Sequence, residues 1–167
     1  MRGTRRAFVT WPDSRLRTPA AEIETVTDDT RRIWADMIET MDAMPGLGLA
    51  APQVGVALRL AVVDASDSRG QAIRMANPEI IAASDETNTH EEASPNLPGV
   101  SASITRPARV TVAYTDHLGM RVRQAFTGLW ATSVQHQIDH LDGRMYFDRL
   151  SKVKRAMLLK RAGKGGR

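Results

Sequence analysis

The stretch Trp130–Gly143, WATSVQHQIDHLDG, constrains the fold more than any other part of the chain. Trp130, Val134, Ile138 and Leu141 recur at helical spacing and stop at Gly143, a favourable position just past a helix end. The helix so predicted has one apolar stripe that must be buried. His136 and His140 lie four residues apart, share a face of that helix, and can reach a single point in space. Two imidazoles converging in this way can clamp one metal ion. The competing reading is a pair of helix histidines hydrogen-bonded to neighbours. The chain has only four histidines, and two of them stand at this spacing.

The residue after the first histidine weakens the hydrolytic reading. In metal hydrolases that carry two histidines four apart, this position holds Glu, the base that takes a proton from metal-bound water. Here it is Gln137, an amide with almost no basicity.

Composition sets the broad class. At 167 residues, with 42% hydrophobic and 25% charged residues, the chain is expected to form one domain (1–167) with a substantial core. No run approaches the length of a membrane span. Arg2, Arg5 and Arg6 are followed by no apolar segment, so the expectation is a cytoplasmic protein without a secretory signal or membrane partner. The chain has no cysteine, which removes disulfides and thiolate metal ligands. The net charge of +4 is concentrated at one end. Residues 152–167 hold seven of the 23 basic residues and no acid, which leaves 16 basic against 19 acidic residues elsewhere. Such a tail is either a solvated helix end or a contact for a polyanion such as ribosomal RNA.

Along the chain, residues 28–44 predict a helix. Asp28 and Asp29 suit its start, Trp34, Met37, Ile38 and Met41 form its buried stripe, and Pro45-Gly46 stops it. GLGLAAPQVG (46–55) reads as a tight loop leading into a strand. Leu58–Asp64 and Ile73–Asn77 read as strands, residues 84–96 as polar loop, and residues 108–126 as a hairpin turning at Asp116–Gly119. A last helix is expected over 150–161, with Leu150, Val153 and Met157 inward. Strands mostly precede the histidine helix without regular alternation, so the class is α+β.

Three segments in order now resemble the signature segments of peptide deformylases: GLGLAAPQVG (46–55), EEASPNLPGV (91–100) and QHQIDHLDG (135–143). In that family they run roughly as G-x-G-x-A-A-x-Q, E-G-C-L-S and Q-H-E-x-D-H. WPDSRLRTPA (11–20) is similar to the family's opening segment, and Arg106-Pro107 stands where a similar pair is usual. The resemblance implies antiparallel or mixed sheets around a central helix carrying His136 and His140. It also implies removal of formyl from the N-terminal methionine of new proteins, by water on an iron or zinc ion.

Carried over residue by residue, the resemblance makes His136 and His140 metal ligands and Gln53 an oxyanion contact. It places Gly46, Leu47, Gly48, Leu97 and Leu129 along the peptide and its methionine pocket, and makes Glu92 and Arg106 a structural pair. Four of its departures bear on the chemistry. Ser94 stands where the family has its ligand Cys, and a neutral hydroxyl is a poor ligand. Gln137 replaces the catalytic Glu. Pro95 lacks the backbone N–H that helps to hold the oxyanion, and Asn96 changes the same loop. Thr132 and Ser133 are more polar than the family usually carries. The expectation is a deformylase-like protein without, or nearly without, deformylase activity, holding no metal or a weakly bound one, and retaining a surface for formyl-methionine or other N-terminal peptides, or for the ribosome. The alternative is an active divergent hydrolase in which His90, Glu91 or Glu92 rebuilds the third ligand.

Overall fold

The computed structural model describes residues 1–165. The first long helix, α1, covers Asp28–Ala43. Thr27 caps it by accepting from the Thr30 backbone, while Asp28 and Asp29 lie in the positive first turn. Trp34, Met37 and Met41 are fully buried and pack on Leu49, Leu60 and Val62. The strands that meet α1 are short: β1 is Gly48–Ala50 and β2 is Leu60–Val63. The segment expected to be a tight loop is therefore a three-residue strand followed by a 3-10 turn, Ala51–Val54.

Strand β3 runs from Ile73 to Ala83, well past Asn77, and its register slips at two places as it pairs with β6, Arg109–Thr115. Strands β6 (Arg109–Thr115) and β7 (Arg121–Thr127) form the hairpin read from the sequence. These strands build one antiparallel sheet in the order β1-β2-β3-β6-β7.

The polar stretch 84–96 corrects an expectation. Instead of a loop it contributes strand β4, Thr87–Ser94, paired antiparallel to β5, Leu97–Pro107. Its alternation is real but polar on both faces. Asn88, His90, Glu92 and Ser94 point inward, and Thr87, Thr89, Glu91 and Ala93 point to solvent. Only Pro95 and Asn96 separate the two strands, a residue pair well suited to a tight turn.

Helix α2, Gly128–Leu141, lies between these elements and touches β1, β2, β5, β6 and β7. Residues Ala131 to Leu141 are buried without interruption, so its polar face is enclosed as well as its apolar stripe. At its end Gly143 has φ of 77° and sits against the chain near Arg17, where a Cβ would fall 2.6 Å from the Arg17 carbonyl oxygen. Only glycine meets both demands.

Helix α3, Lys152–Gly165, closes the second core, which contains Leu16, Leu97, Ile104, Met145, Tyr146 and Phe147. Its inward face differs from the one expected. Val153 and Met157 are 70% and 57% exposed, whereas Leu158 is 0% exposed and Leu159 and Ala162 pack beside it. Leu150 precedes the helix and is partly buried. Among the described residues no helix is long and apolar enough to cross a membrane.

Candidate metal centre and peptide cleft

A cleft of about 400 Å³ lies between α2, the segment 44–48 and the end of β4. Its floor carries Gln53, Ser94, His136 and Gln137. Its walls carry Met44, Gly46, Leu47, Pro95, Leu129, Thr132 and Ser133, with Leu47 and Leu129 exposed at the rim. Gly48 is held against α2 so closely that a Cβ would lie 2.5 Å from Ser133 Oγ and 2.6 Å from Gln137 Nε2. Close packing is thus one reason for glycine there. Leu97 is buried in the second core rather than along the cleft, because β5 turns its side chain toward Leu16 and Phe147.

His136 and His140 are brought together with their Nε2 atoms 3.2 Å apart. That separation is a hydrogen bond between the rings, and it is also close to the roughly 3.3 Å expected of two ligands on one tetrahedral ion. His136 Nδ1 donates to Glu92 Oε1 at 2.8 Å. A carboxylate only accepts, so Nδ1 is the donor, while Nε2 faces the Nε2 of His140. His140 is buried, and burial together with the positive charges of His136 and Arg106 lowers its pKa well below the ordinary imidazole value. The neutral imidazole so favoured is the form that a metal would take.

The pair is supported by a buried ionic chain. Arg106 donates through Nε and Nη2 to Glu92 at 2.7 and 2.9 Å, and through Nη1 to Asp139 at 2.8 Å. Arg149 donates to the other side of Asp139 at 2.7 Å. Burial acts to raise the pKa of Glu92, but the hydrogen bonds from His136 and Arg106 outweigh it and hold the carboxyl below its usual range. Tyr146 stacks on His136 with ring centroids 6.0 Å apart, and burial and the charges of Glu92 and Glu91 push its hydroxyl up to about 12. Asp139 stands in the QHQIDH motif, but nothing in the residue spacing announced Arg149 or Tyr146, because these contacts join separate elements.

The third position does not suit a divalent metal. Ser94 Oγ donates to Asn96 Oδ1 at 2.9 Å, and Gln53 Nε2 donates to the same Asn96 oxygen at 2.8 Å. Gln53 Oε1 accepts from the Ala50 N–H at 2.9 Å. His90 and Glu91, the alternative ligands, are held elsewhere. His90 Nδ1 and Thr132 Oγ1 share a hydrogen bond of 3.0 Å, while Glu91 faces solvent and accepts from Ser101 and Ser103 at 2.7 and 2.9 Å. Those two hydroxyls hold the Glu91 carboxyl below its ordinary pKa. Glu92 is committed to Arg106 and His136. Among the described residues no three His, Cys, Asp or Glu side chains are grouped to hold a metal. Gln137 brings no proton acceptor, and its buried Oε1 has no hydrogen-bond partner.

Comparison with known proteins agrees with this architecture. The family described as polypeptide deformylase matches residues 5–156. A peptide deformylase of Rhodopseudomonas palustris (strain BisB18) is 39% identical over 166 residues, covering 97% of this chain and 95% of its own. A peptide deformylase-like protein of Bradyrhizobium diazoefficiens is 40% identical over 164 residues, covering 98% and 96%. Among solved structures, peptide deformylase from Ehrlichia chaffeensis superposes with a TM-score of 0.91 at 34% identity, covering 98% of this chain and 97% of that one. The same enzyme in complex with actinonin also gives 0.91, at 35% identity. With the α+β fold, the paired histidines and the cleft all in place, the chain belongs to the peptide deformylase family.

Proposed function

We propose that this chain is a peptide deformylase relative that has lost all or nearly all deformylase activity and keeps a cleft for the N-termini of peptides. The observation that carries this reading is the floor of the cleft, where every group needed for hydrolysis except the histidine pair is absent or engaged. Gln137 cannot take the proton of an attacking water. Its replacement of a base is worth about 10²–10⁴-fold. Pro95 has no N–H for the oxyanion, a loss of about 10²–10³-fold. Gln53, the remaining oxyanion donor, is turned to Asn96. Iron or zinc, if bound at His136 and His140, would supply an acid for the formyl oxygen, but the donor set at Ser94 does not complete its site.

The apolar rim at Leu47 and Leu129 supports retention of peptide binding. Helix α3 adds a second surface. Lys152, Lys154, Lys160, Arg161 and Lys164 are exposed along it, and it supports contact with a polyanion such as ribosomal RNA; Arg167 lies outside the described residues. A steep loss of that binding with salt is expected.

The test is formate release from a formyl-methionyl peptide by protein loaded in turn with iron, zinc, nickel and cobalt under reducing, anaerobic conditions. Release no faster than the metal-only blank is expected. Chelator-sensitive turnover would instead require a third ligand and a base among residues not assigned those roles above.

A further inference from the structure

We propose that Asn96 is the residue that closes this centre, by holding Ser94 and Gln53 so that neither can serve a metal or an oxyanion. The inference rests on the reading of a metal-poor deformylase relative and explains how the chain enforces it.

Asn96 is fully buried in the two-residue turn between β4 and β5. Its amide orientation is fixed from behind. Nδ2 donates to the Val9 carbonyl at 2.6 Å and to the Gln53 carbonyl at 3.0 Å, and carbonyl oxygens only accept. Its own carbonyl accepts from the Trp11 N–H at 2.8 Å. Oδ1 is therefore the atom presented to Ser94 and Gln53.

An acceptor in that position dictates what can stand opposite. Ser94 gives Oδ1 its single proton. The Ser94 oxygen also faces the Asn96 N–H and Gln53 Nε2, each at 3.4 Å. A hydroxyl has one proton and two lone pairs, so all of its capacity is taken and no lone pair remains for an ion. Gln53 is spent in the same way. The two protons of Nε2 go to Asn96 Oδ1 and Ser94 Oγ, and Oε1 takes the Ala50 N–H. A thiolate at position 94 would meet Oδ1 with no proton between them, two electron-rich atoms in a buried site. Asn96 thus disfavours the anionic ligand as well as engaging the neutral one. It is a positioning residue, acting through two others.

The test uses the full chain and cobalt as the probe, with equilibrium dialysis and visible absorption as readouts. Four proteins are compared: wild type, Ser94→Cys, Asn96→Ser and the double variant, serine being the family's residue at position 96. Wild type and Asn96→Ser are expected to hold well under one equivalent. Ser94→Cys is expected to bind weakly. The double variant is expected to bind one equivalent with a thiolate-to-cobalt band, about 10–100-fold tighter than Ser94→Cys, the range typical of a residue that supports a ligand. If Ser94→Cys alone matches the double variant, Asn96 is not the gate and the inference falls while the parent reading stands. If wild type binds a full equivalent tightly, both fall.

Because Asn96 joins three segments, its replacement can unfold the protein, so a second measurement uses wild type alone. The ¹⁵N-resolved side-chain amide signals of Asn96 and Gln53 are followed while zinc is added. They are expected to stay in place, and their displacement at one equivalent overturns the inference.

Discussion

Gly48 shows how far single atoms govern the cleft. A methyl group there would press on Ser133 Oγ and Gln137 Nε2 at 2.5 and 2.6 Å, and neither partner lies at the surface. Gly48→Ala is expected to cost about 1–3 kcal/mol, the usual range for overpacking, read as a lower denaturation midpoint. A stability equal to wild type would show that α2 yields more easily than its burial implies. Arg106 presents the opposite case, removal rather than addition. Its guanidinium neutralises Glu92 and Asp139, all three buried. Arg106→Met takes the shared cation from two buried carboxylates and is expected to cost about 3–5 kcal/mol in urea denaturation at neutral pH. A loss under about 1 kcal/mol would mean that Arg149 alone can hold Asp139 and that Glu92 finds another partner.

At the scale of elements, the helices were more legible than the strands. Helix α2 declared itself through a period that chain geometry imposes, and the two histidines share its face for the same reason. Strand β4 did not, because its inward face carries Asn88, His90, Glu92 and Ser94 where a strand usually carries apolar residues. Of these, His90 is met by Thr132, Glu92 by Arg106 and His136, and Ser94 by Asn96, all from outside the strand. Asn96 was visible as a departure from the family pattern, but its role needs Val9, Gln53 and Ser94 together, which no local spacing encodes. In α3 the heptad-like spacing of Leu150, Val153 and Met157 suggested the wrong face, since the helix begins only at Lys152 and docks through Leu158. Leu158→Ala is expected to cost about 2–5 kcal/mol, whereas Val153→Ala and Met157→Ala should each change stability by less than about 0.5 kcal/mol. Equal losses in all three variants would contradict the docking of α3 described here.

For the molecule as a whole, Asp148 ties the N-terminal segment to the turn after α2. It accepts from both terminal nitrogens of Arg17, from the Met145 N–H at 2.9 Å and from Arg155 at 3.3 Å. Burial alone would raise its pKa, but the hydrogen bond from Arg17 and the others lower it. A carboxyl whose folded pKa lies below its unfolded value stabilises the fold above the unfolded value, near 4, and loses that contribution as pH falls through the folded one. Asp148→Asn should therefore be less stable than wild type at pH 7, with the gap narrowing below pH 4. A gap independent of pH would assign the effect to packing.

The fold that these contacts hold is that of the peptide deformylase family, and the proposed loss is of the reaction, not of the fold. The most direct test assays formate release side by side for wild type and for a variant carrying the family's residues at the four departures that bear on the chemistry, Ser94→Cys, Pro95→Leu, Asn96→Ser and Gln137→Glu. Both proteins are loaded with the same metal. Wild type is expected to release nothing above the blank, and the variant to show chelator-sensitive turnover. Turnover by wild type at a rate comparable to the variant would contradict the proposed loss, because the four residues would then have been replaced without effect on the rate.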